Sequence, residues 1–321
     1  MKKLCVGVNG AIGEIKSLVA SFDCISSIYT SDYMKNTTGG RAGGVIRSVD
    51  QVREIARFLA ERNVEYWVTN NHTVLVHRRD DGPFWDAYKE HILELQDAGV
   101  TGLIVGHPFV VDFVKRHSRL EVCVSTTAEV ATARAARHFE DLGADMICPS
   151  YHINFDMEAL SAVKASLRRA RIKLLVNEFC LGDCIHRRYH QNSYVAETNL
   201  DKDYGYNCHK TVLSNPERIL QNNTIRPEDL KHYLGITDLF KISLRAPPFN
   251  DAVTNHEVVK AYADEQYSGN YMNLISQHFS SMIQIPNDKL GALRGMKLKC
   301  SKACFSCDAC KRIYDQAVIA A

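Results

Sequence analysis

SVDQVREIARFLAERNVEYWVTN, residues 48–70, decides the fold. Its first part sets Val49, Val52, Ile55, Ala56 and Leu59 on one face of a helix, with Ser48 placed to cap the N-terminus. Its last part, residues 65–70, is an aromatic and β-branched run of strand type that ends on a polar residue. Working outward, the same alternation recurs along the chain. Strand-like runs lie at 4–9, 25–30, 65–70, 102–106, 120–125, 145–149, 172–177 and 239–243. Helix patterns at 126–142 and 156–169 each open on a residue able to cap. Apolar strands alternating with amphipathic helices predict an α/β fold with a parallel sheet covered on both faces. A count of eight favours a (β/α)8-type barrel over a doubly wound sheet. Residues 1–268 are read as this barrel, and 269–321 as a short cysteine-rich C-terminal extension packed on it.

A barrel places its active site at the C-terminal ends of the strands. Those ends carry Asn9, Thr30, Asn70 with Asn71, His107, Ser125 with Thr126, Ser150, Asn177 with Glu178, and Arg245. Any one of these is explained by the general polarity of loops. Their convergence on a group of cysteines carries more weight.

Composition sets ordinary bounds. The 321 residues are 45% hydrophobic, enough for a full core, and the net charge of +2 forces neither a nucleic-acid nor a membrane partner. The opening MKKLCVGVNGAIGEIK lacks the apolar run of a secretory leader, and no stretch reaches the ~20 apolar residues of a membrane span. The expected location is cytoplasmic, where thiols stay reduced and clustered cysteines point to metal rather than disulfides.

Seven of the eleven cysteines are clustered. Cys180, Cys184 and Cys208 form one group, and Cys300, Cys304, Cys307 and Cys310 the other. The remaining Cys5, Cys24, Cys123 and Cys148 sit in apolar runs and read as small buried hydrophobes. The tail motif packs four thiols into eleven residues as C-x3-C-x2-C-x2-C, in a segment too polar for a core. Near-continuous thiol spacing of this kind suits an iron–sulfur cubane better than structural zinc, which usually pairs two C-x2-C knuckles across a longer loop. The expected cofactor is therefore a [4Fe–4S] cluster, one or two per chain, with zinc as the alternative. The first three tail cysteines also match radical-SAM spacing. Their place far from the first strand, and Ser306 before the third cysteine, rule that reading out. The first group lacks an evident fourth ligand; Cys148, His209 and a tail cysteine are the candidates.

The stretch NEFCLGDCIHRRYHQN (177–192) resembles the cysteine motif of the peptidase U32 family, and IRPEDLKHYLGITDLFKISLRAP (225–247) with VVKAYADEQYSGNYMNLI (258–275) resembles the segment that follows it in one branch. GGRAGG (39–44) fits as a loop leaving the second strand. This family includes oxygen-independent hydroxylation factors of ubiquinone biosynthesis and enzymes that hydroxylate RNA. The resemblance implies a barrel holding a [4Fe–4S] cluster through four cysteines. Cys180, Cys184 and Cys208 match three of these in order, and either a tail cysteine completes the set or the tail holds a second cluster.

The leading expectation is an iron–sulfur enzyme performing an oxygen-independent redox modification, hydroxylation above all, of a small anionic metabolite or an RNA base. Glu178 is the expected proton-transfer group, since burial and nearby charge push a carboxylate toward neutral pKa, with an ion pair to Arg187 or Arg245 as the structural counter-reading. His190 is the second acid/base candidate. Arg41, Arg187 and Arg245 are read as clamps for an anionic substrate, and Asn70 and Asn177 as further substrate contacts. An electron donor or partner subunit is also expected. The competing readings are a peptidase or other hydrolase, and a non-catalytic iron–sulfur accessory subunit. The chain shows neither a G-x-S-x-G elbow nor an H-E-x-x-H helix.

Overall fold

The computed structural model describes residues 2–33, 46–71, 73, 81–182, 184–193, 203–243, 252–275 and 279–319. Within them one sheet of nine strands is parallel throughout. Its strands are β1 (Lys3–Gly7), β2 (Ile25–Ser31), β3 (Glu65–Asn70), β4 (Gly102–Val105), β5 (Glu121–Val124), β6 (Met146–Ile147), β7 (Arg171–Ile172), β8 (Leu174–Leu175) and β9 (Leu239–Ile242). The spatial order is β7-β6-β5-β4-β3-β2-β1-β9-β8. Only Lys173 separates β7 from β8, so one physical strand pairs with β6 by its first half and with β9 by its second. That shared strand closes the sheet, giving the (β/α)8-type barrel expected from eight strand-like runs.

Helices cover the outside: α1 (Ile12–Ser21), α2 (Val49–Ala60), α3 (Gly82–Asp97), α4 (Pro108–His117), α5 (Ala133–Asp141) and α6 (Met157–Ser166). Further along come α7 (Arg187–Ser193), α8 (Asp203–Ser214), α9 (Ala252–Asp264), α10 (Tyr271–Ile275), α11 (Leu293–Lys297) and α12 (Ala309–Ile319). The α2 stripe is as the pattern predicts: Val52, Ile55, Ala56 and Leu59 are buried, and the Ser48 hydroxyl accepts from the Gln51 N–H. Asp156 caps α6 in the same way. The helix expected over 126–142 is interrupted. A single turn at Thr126–Ala128 ends where Glu129 adopts a left-handed φ of 54°, and α5 restarts at Ala133 under a Thr132 cap. Among the described residues no helix is long and apolar enough to cross a membrane.

Strand alternation splits the core in two. Leu4 and Val6, Tyr66 and Val68, Leu103 and Val105, and Val122 and Val124 pack outward under the helices. Cys5, Trp67, Ile104, Cys123, Met146, Cys148, Leu175 and Leu239 form the separate inner cluster. Cys5, Cys123 and Cys148 are thus buried packing residues, as their apolar surroundings predict, and Cys24 is half-buried. Lys173 and Lys241 are also buried, their ammonium groups 4.6 Å and 4.2 Å from the ring centroids of Trp67 and Tyr29.

Residues beyond α9 are tied to the segment 222–229. The Tyr271 hydroxyl donates to Asn222 Oδ1 (2.9 Å), Lys297 Nζ to the Asn222 carbonyl (2.6 Å), and Arg226 Nη1 to the Asn287 carbonyl (3.0 Å). Asn270 and Pro286 form a short antiparallel bridge.

Candidate functional site

The C-terminal ends of β3, β5, β6 and β8 gather most of the polar residues picked out by the sequence. Glu178 follows β8 and is buried. Arg187, at the start of α7, is buried against it: Arg187 Nη2 lies 2.9 Å from Glu178 Oε2, and Arg187 Nε donates to Glu129 Oε1 at 2.7 Å. The left-handed turn at Glu129 aims its carboxylate into this site, where it also accepts from the Ser150 hydroxyl. The guanidinium carbon of Arg187 stands 5.7 Å from the Tyr151 ring centroid, and the Tyr151 hydroxyl donates to the Glu178 carbonyl at 2.9 Å. The result is a closed Glu129–Arg187–Glu178 network walled by an aromatic ring. Burial disfavours the Arg187 charge, but Glu178, Cys180 and Glu129 together hold its pKa above the ordinary value.

Cys180 and Cys184 rise from this network. Their thiols hydrogen-bond each other, which pushes Cys180 up, together with its burial, and holds Cys184 below the usual thiol range, with His186 assisting. Gly182 between them is pinned: its N–H donates to the Gln221 carbonyl at 3.1 Å, and a Cβ there would stand 2.3 Å from that same oxygen. Cys208 lies half-buried on α8. The residue after it, His209, packs edge-on against Phe179 and Phe279 with centroids 5.6 Å and 4.9 Å away, so α8 is seated on the segment that carries Cys180. Among the described residues no three His, Cys, Asp or Glu side chains are assembled as a metal-holding set. The donor chemistry still suits a soft metal group: two thiols in contact, one of them acidic, with a third on the adjoining helix.

The other expected residues fall into three kinds. The Asn70 amide nitrogen, buried at the end of β3, has no hydrogen-bond partner among the described residues. Asn177 was expected as a substrate contact, but its amide is engaged elsewhere. It donates to the Leu274 carbonyl (2.7 Å) and accepts from the Ser243 N–H (2.7 Å), locking β9 and α10 together. Arg187, expected as an anion clamp, is likewise committed to two carboxylates. His190 is half-buried one turn beyond Arg187 on α7. Arg41 and Arg245 lie outside the described residues.

The tail cysteines lie next to the Gly182 contact. Cys300, Cys304 and Cys307 are exposed and Cys310 is half-buried in the first turn of α12. Cys300, Cys304 and Cys310 line a cavity of about 440 Å³ together with Gly182 and Gln221.

Sequence reasoning missed Glu129, Tyr151 and the Gln221–Asn222 support. Glu129 is 58 residues from its arginine, and only its interruption of a helical pattern could have drawn notice.

A family model described as peptidase family U32 matches residues 36–200. An uncharacterized protease of Methanocaldococcus jannaschii is 32% identical over 235 residues, covering 70% of this chain and 68% of the relative. The solved structure of the U32 peptidase Mk0906 superposes with a TM-score of 0.55 over 77% of this chain and 95% of its own, at 18% identity, a likeness of fold.

Proposed function

The chain belongs to the peptidase U32 family, and we propose that it is an iron–sulfur enzyme that performs an oxygen-independent redox modification, hydroxylation, of a small anionic metabolite or an RNA base at the barrel mouth. One observation carries this reading: the contacting Cys180–Cys184 pair stands directly on the buried Glu129–Arg187–Glu178 network, where strands of such a barrel deliver their chemistry. Cys180, Cys184 and Cys208 would hold a [4Fe–4S] cluster. When bound, it would supply one-electron chemistry or a Lewis-acidic iron beside the substrate.

The chain's own residues have separable tasks in this proposal. Arg187 keeps two carboxylates close together in a dry site, and so holds Glu178 beside the thiols. Glu178 is the proton acceptor beside the cysteine pair, and His190, one turn beyond Arg187 on α7, the second proton carrier. The buried Asn70 amide orients the substrate. Arg41 and Arg245 are the proposed anion clamps, since Arg187 is already engaged. With water as the oxygen source, hydroxylation replaces a C–H bond by C–O and releases two electrons and two protons. The electrons would therefore pass to a partner protein or subunit acting as acceptor, rather than come from a donor.

The family name supports a second reading, a thiol hydrolase using Cys184, which is held below the ordinary thiol range beside His186. The two readings exclude each other, because a metal-bound thiolate cannot attack a peptide. Iron, acid-labile sulfide and zinc should be measured on anaerobically purified protein, with Cys180→Ala alongside. Iron with matching sulfide, lost in the variant, is the expected result. Zinc without sulfide, or peptide cleavage by iron-depleted protein that alkylation of Cys184 abolishes, would replace it with the hydrolase.

A further inference from the structure

We infer that the floor of the barrel carries a second binding site, separate from the mouth, for a phosphorylated ligand of nucleotide size. A cavity of about 690 Å³ opens there, around the N-terminal ends of β1, β2, β3, β7 and β9. That volume falls in the range of roughly 300–1,000 Å³ usual for small-molecule sites. Its lining is unevenly charged. Lys3, Lys164, Arg168, Arg169 and Arg171 line it against only two carboxylates, Glu65 and Asp238. The local surplus is three positive charges, in a chain whose net charge is +2 overall. Arg171 is engaged with Glu65 and Glu121, and Lys3 lies 3.7 Å from Asp238 with both side chains more than half exposed. Among the described residues Lys164 and Arg169 donate to carbonyl oxygens alone, those of Gly235 (2.5 Å) and Glu140 (3.4 Å). Crowded like charges repel one another, and an anion placed among them relieves that repulsion.

The surplus stands on fixed backbone. α6 ends at Ser166, and residues 167–170 lead into β7. The buried Glu140 carboxylate accepts from the N–H groups of Arg168, Arg169 and Ala170 at 2.6–3.1 Å. Arg137, paired with Glu140 at 3.4 Å, donates to the Ser166 carbonyl at 3.1 Å. A buried acid thus clamps three consecutive amides of the stretch that carries the arginines. The stretch 234–239 supplies further lining and is tied to the first: the Thr237 hydroxyl donates to the Ile172 carbonyl at 2.6 Å, and Lys164 reaches Gly235. The site is therefore formed before a ligand arrives, which lowers the ordering cost of binding. Beside the cations the lining is apolar, with Leu167, Ile172, Leu234 and Ile236, and Leu234 is left 50% exposed. A bare inorganic anion gains nothing from that surface. A phosphate ester with a flat organic part uses both: its phosphates meet the cations, its ring covers Leu234 and Ile236, and Asp238 accepts from a hydroxyl or amine. A nucleoside diphosphate has all three parts.

The test does not depend on the metal at the mouth. ADP is titrated calorimetrically into the full chain at low salt, with pyrophosphate, adenosine and a short single-stranded RNA compared. The variants are Arg168→Glu/Arg169→Glu, Leu234→Ser and, as a matched change of charge, Arg53→Glu/Lys89→Glu on the exposed faces of α2 and α3. Saturable one-to-one ADP binding is expected, weakened about tenfold or more by the floor arginine variant and unmoved by the matched pair. Leu234→Ser should weaken ADP severalfold and leave pyrophosphate unchanged, a readout that stands even where the arginine variant fails to fold. No saturable ADP binding, or an equal loss in the matched pair, overturns the site. Adenosine as tight as ADP would take the phosphates out of recognition, and pyrophosphate as tight as ADP would take out the organic part; either overturns the assignment. RNA that binds more tightly than ADP, and is weakened by the same arginine variant, would make the floor a nucleic-acid surface and overturn it as well.

Discussion

Both ends of the barrel hold an arginine between two glutamates, and the two triads differ in almost everything else. At the floor, Arg171 reaches Glu65 (3.4 Å) and Glu121 (3.0 Å), each residue beginning its strand. At the mouth, Arg187 reaches Glu129 (2.7 Å) and Glu178 (2.9 Å). The floor arginine side chain is 48% exposed and the mouth arginine 4%. Water screens the first triad, so it is a polar plug; the second is dry, so every charge in it depends on its partner. The same residue types thus form a screened triad at one end of the barrel and a largely buried one at the other.

The largest expected effect comes from breaking the dry triad. Arg187→Met leaves one buried carboxylate, Glu178, and one half-buried, Glu129, without a cation and should cost about 3–5 kcal/mol in urea unfolding. Adding Glu129→Gln and Glu178→Gln to that variant should recover much of the loss, because the penalty belongs to the stranded charges. A triple variant no more stable than Arg187→Met would show that the arginine acts by packing on Tyr151 instead.

A third glutamate, on the floor side, sharpens the contrast. Glu140 is buried and accepts from the backbone N–H groups of Arg168, Arg169 and Ala170 at 2.6–3.1 Å. Burial alone would raise its pKa, but the N–H groups of Ala170 and Arg169 and the charge of Arg137 bring it below the ordinary carboxylate value. Its contribution is therefore complete above the unfolded carboxylate pKa of about 4.3 and is lost as pH falls through the lower folded value. Glu140→Gln should cost about 1.5–3 kcal/mol at neutral pH. It should also flatten the stability curve between pH ~4 and more acid conditions. An unchanged acid limb would mean that the four contacts do not favour the ionised form.

How much of this contrast was legible in the sequence depends on how far apart the partners lie. The eight strands could be read because each is a short apolar run followed by a cap or polar turn, as in residues 48–70. The Cys180–Cys184 motif could be read because its spacing is local. Of the two triads only the Glu178–Arg187 pair was legible, as the alternative reading of Glu178. Arg187 and Glu129 are 58 residues apart, and Arg171 and Glu65 are 106. Asn177 was rightly placed at a strand end, yet whether its amide faces substrate or the Ser243 and Leu274 backbone is decided by α10, nearly a hundred residues on.

At the mouth, Gly182→Ala tests whether the cysteine loop depends on its seat. The new Cβ would meet the Gln221 carbonyl oxygen at 2.3 Å, and a backbone atom cannot swing aside as a side chain can. Expected is a loss of about 1–3 kcal/mol, the usual cost of overpacking. Faster alkylation of Cys180 should accompany it as the loop lifts. Lost stability with unchanged thiol reactivity would separate the seat from the site.

The smallest effect should come from the floor triad, and its smallness is what the comparison needs. Arg171→Met removes two ion pairs at once, yet Glu65 and Glu121 are both partly exposed and can rehydrate where they stand. Glu65 also keeps the Trp67 indole N–H as a donor at 2.9 Å. The change should fall within about 1 kcal/mol and shrink further in high salt, as for other exposed pairs. A loss rivalling that of Arg187→Met would mean that the floor is as dry as the mouth in solution. Burial would then no longer distinguish the two triads, and the assignment of chemistry to one end alone would have to rest on the cysteines.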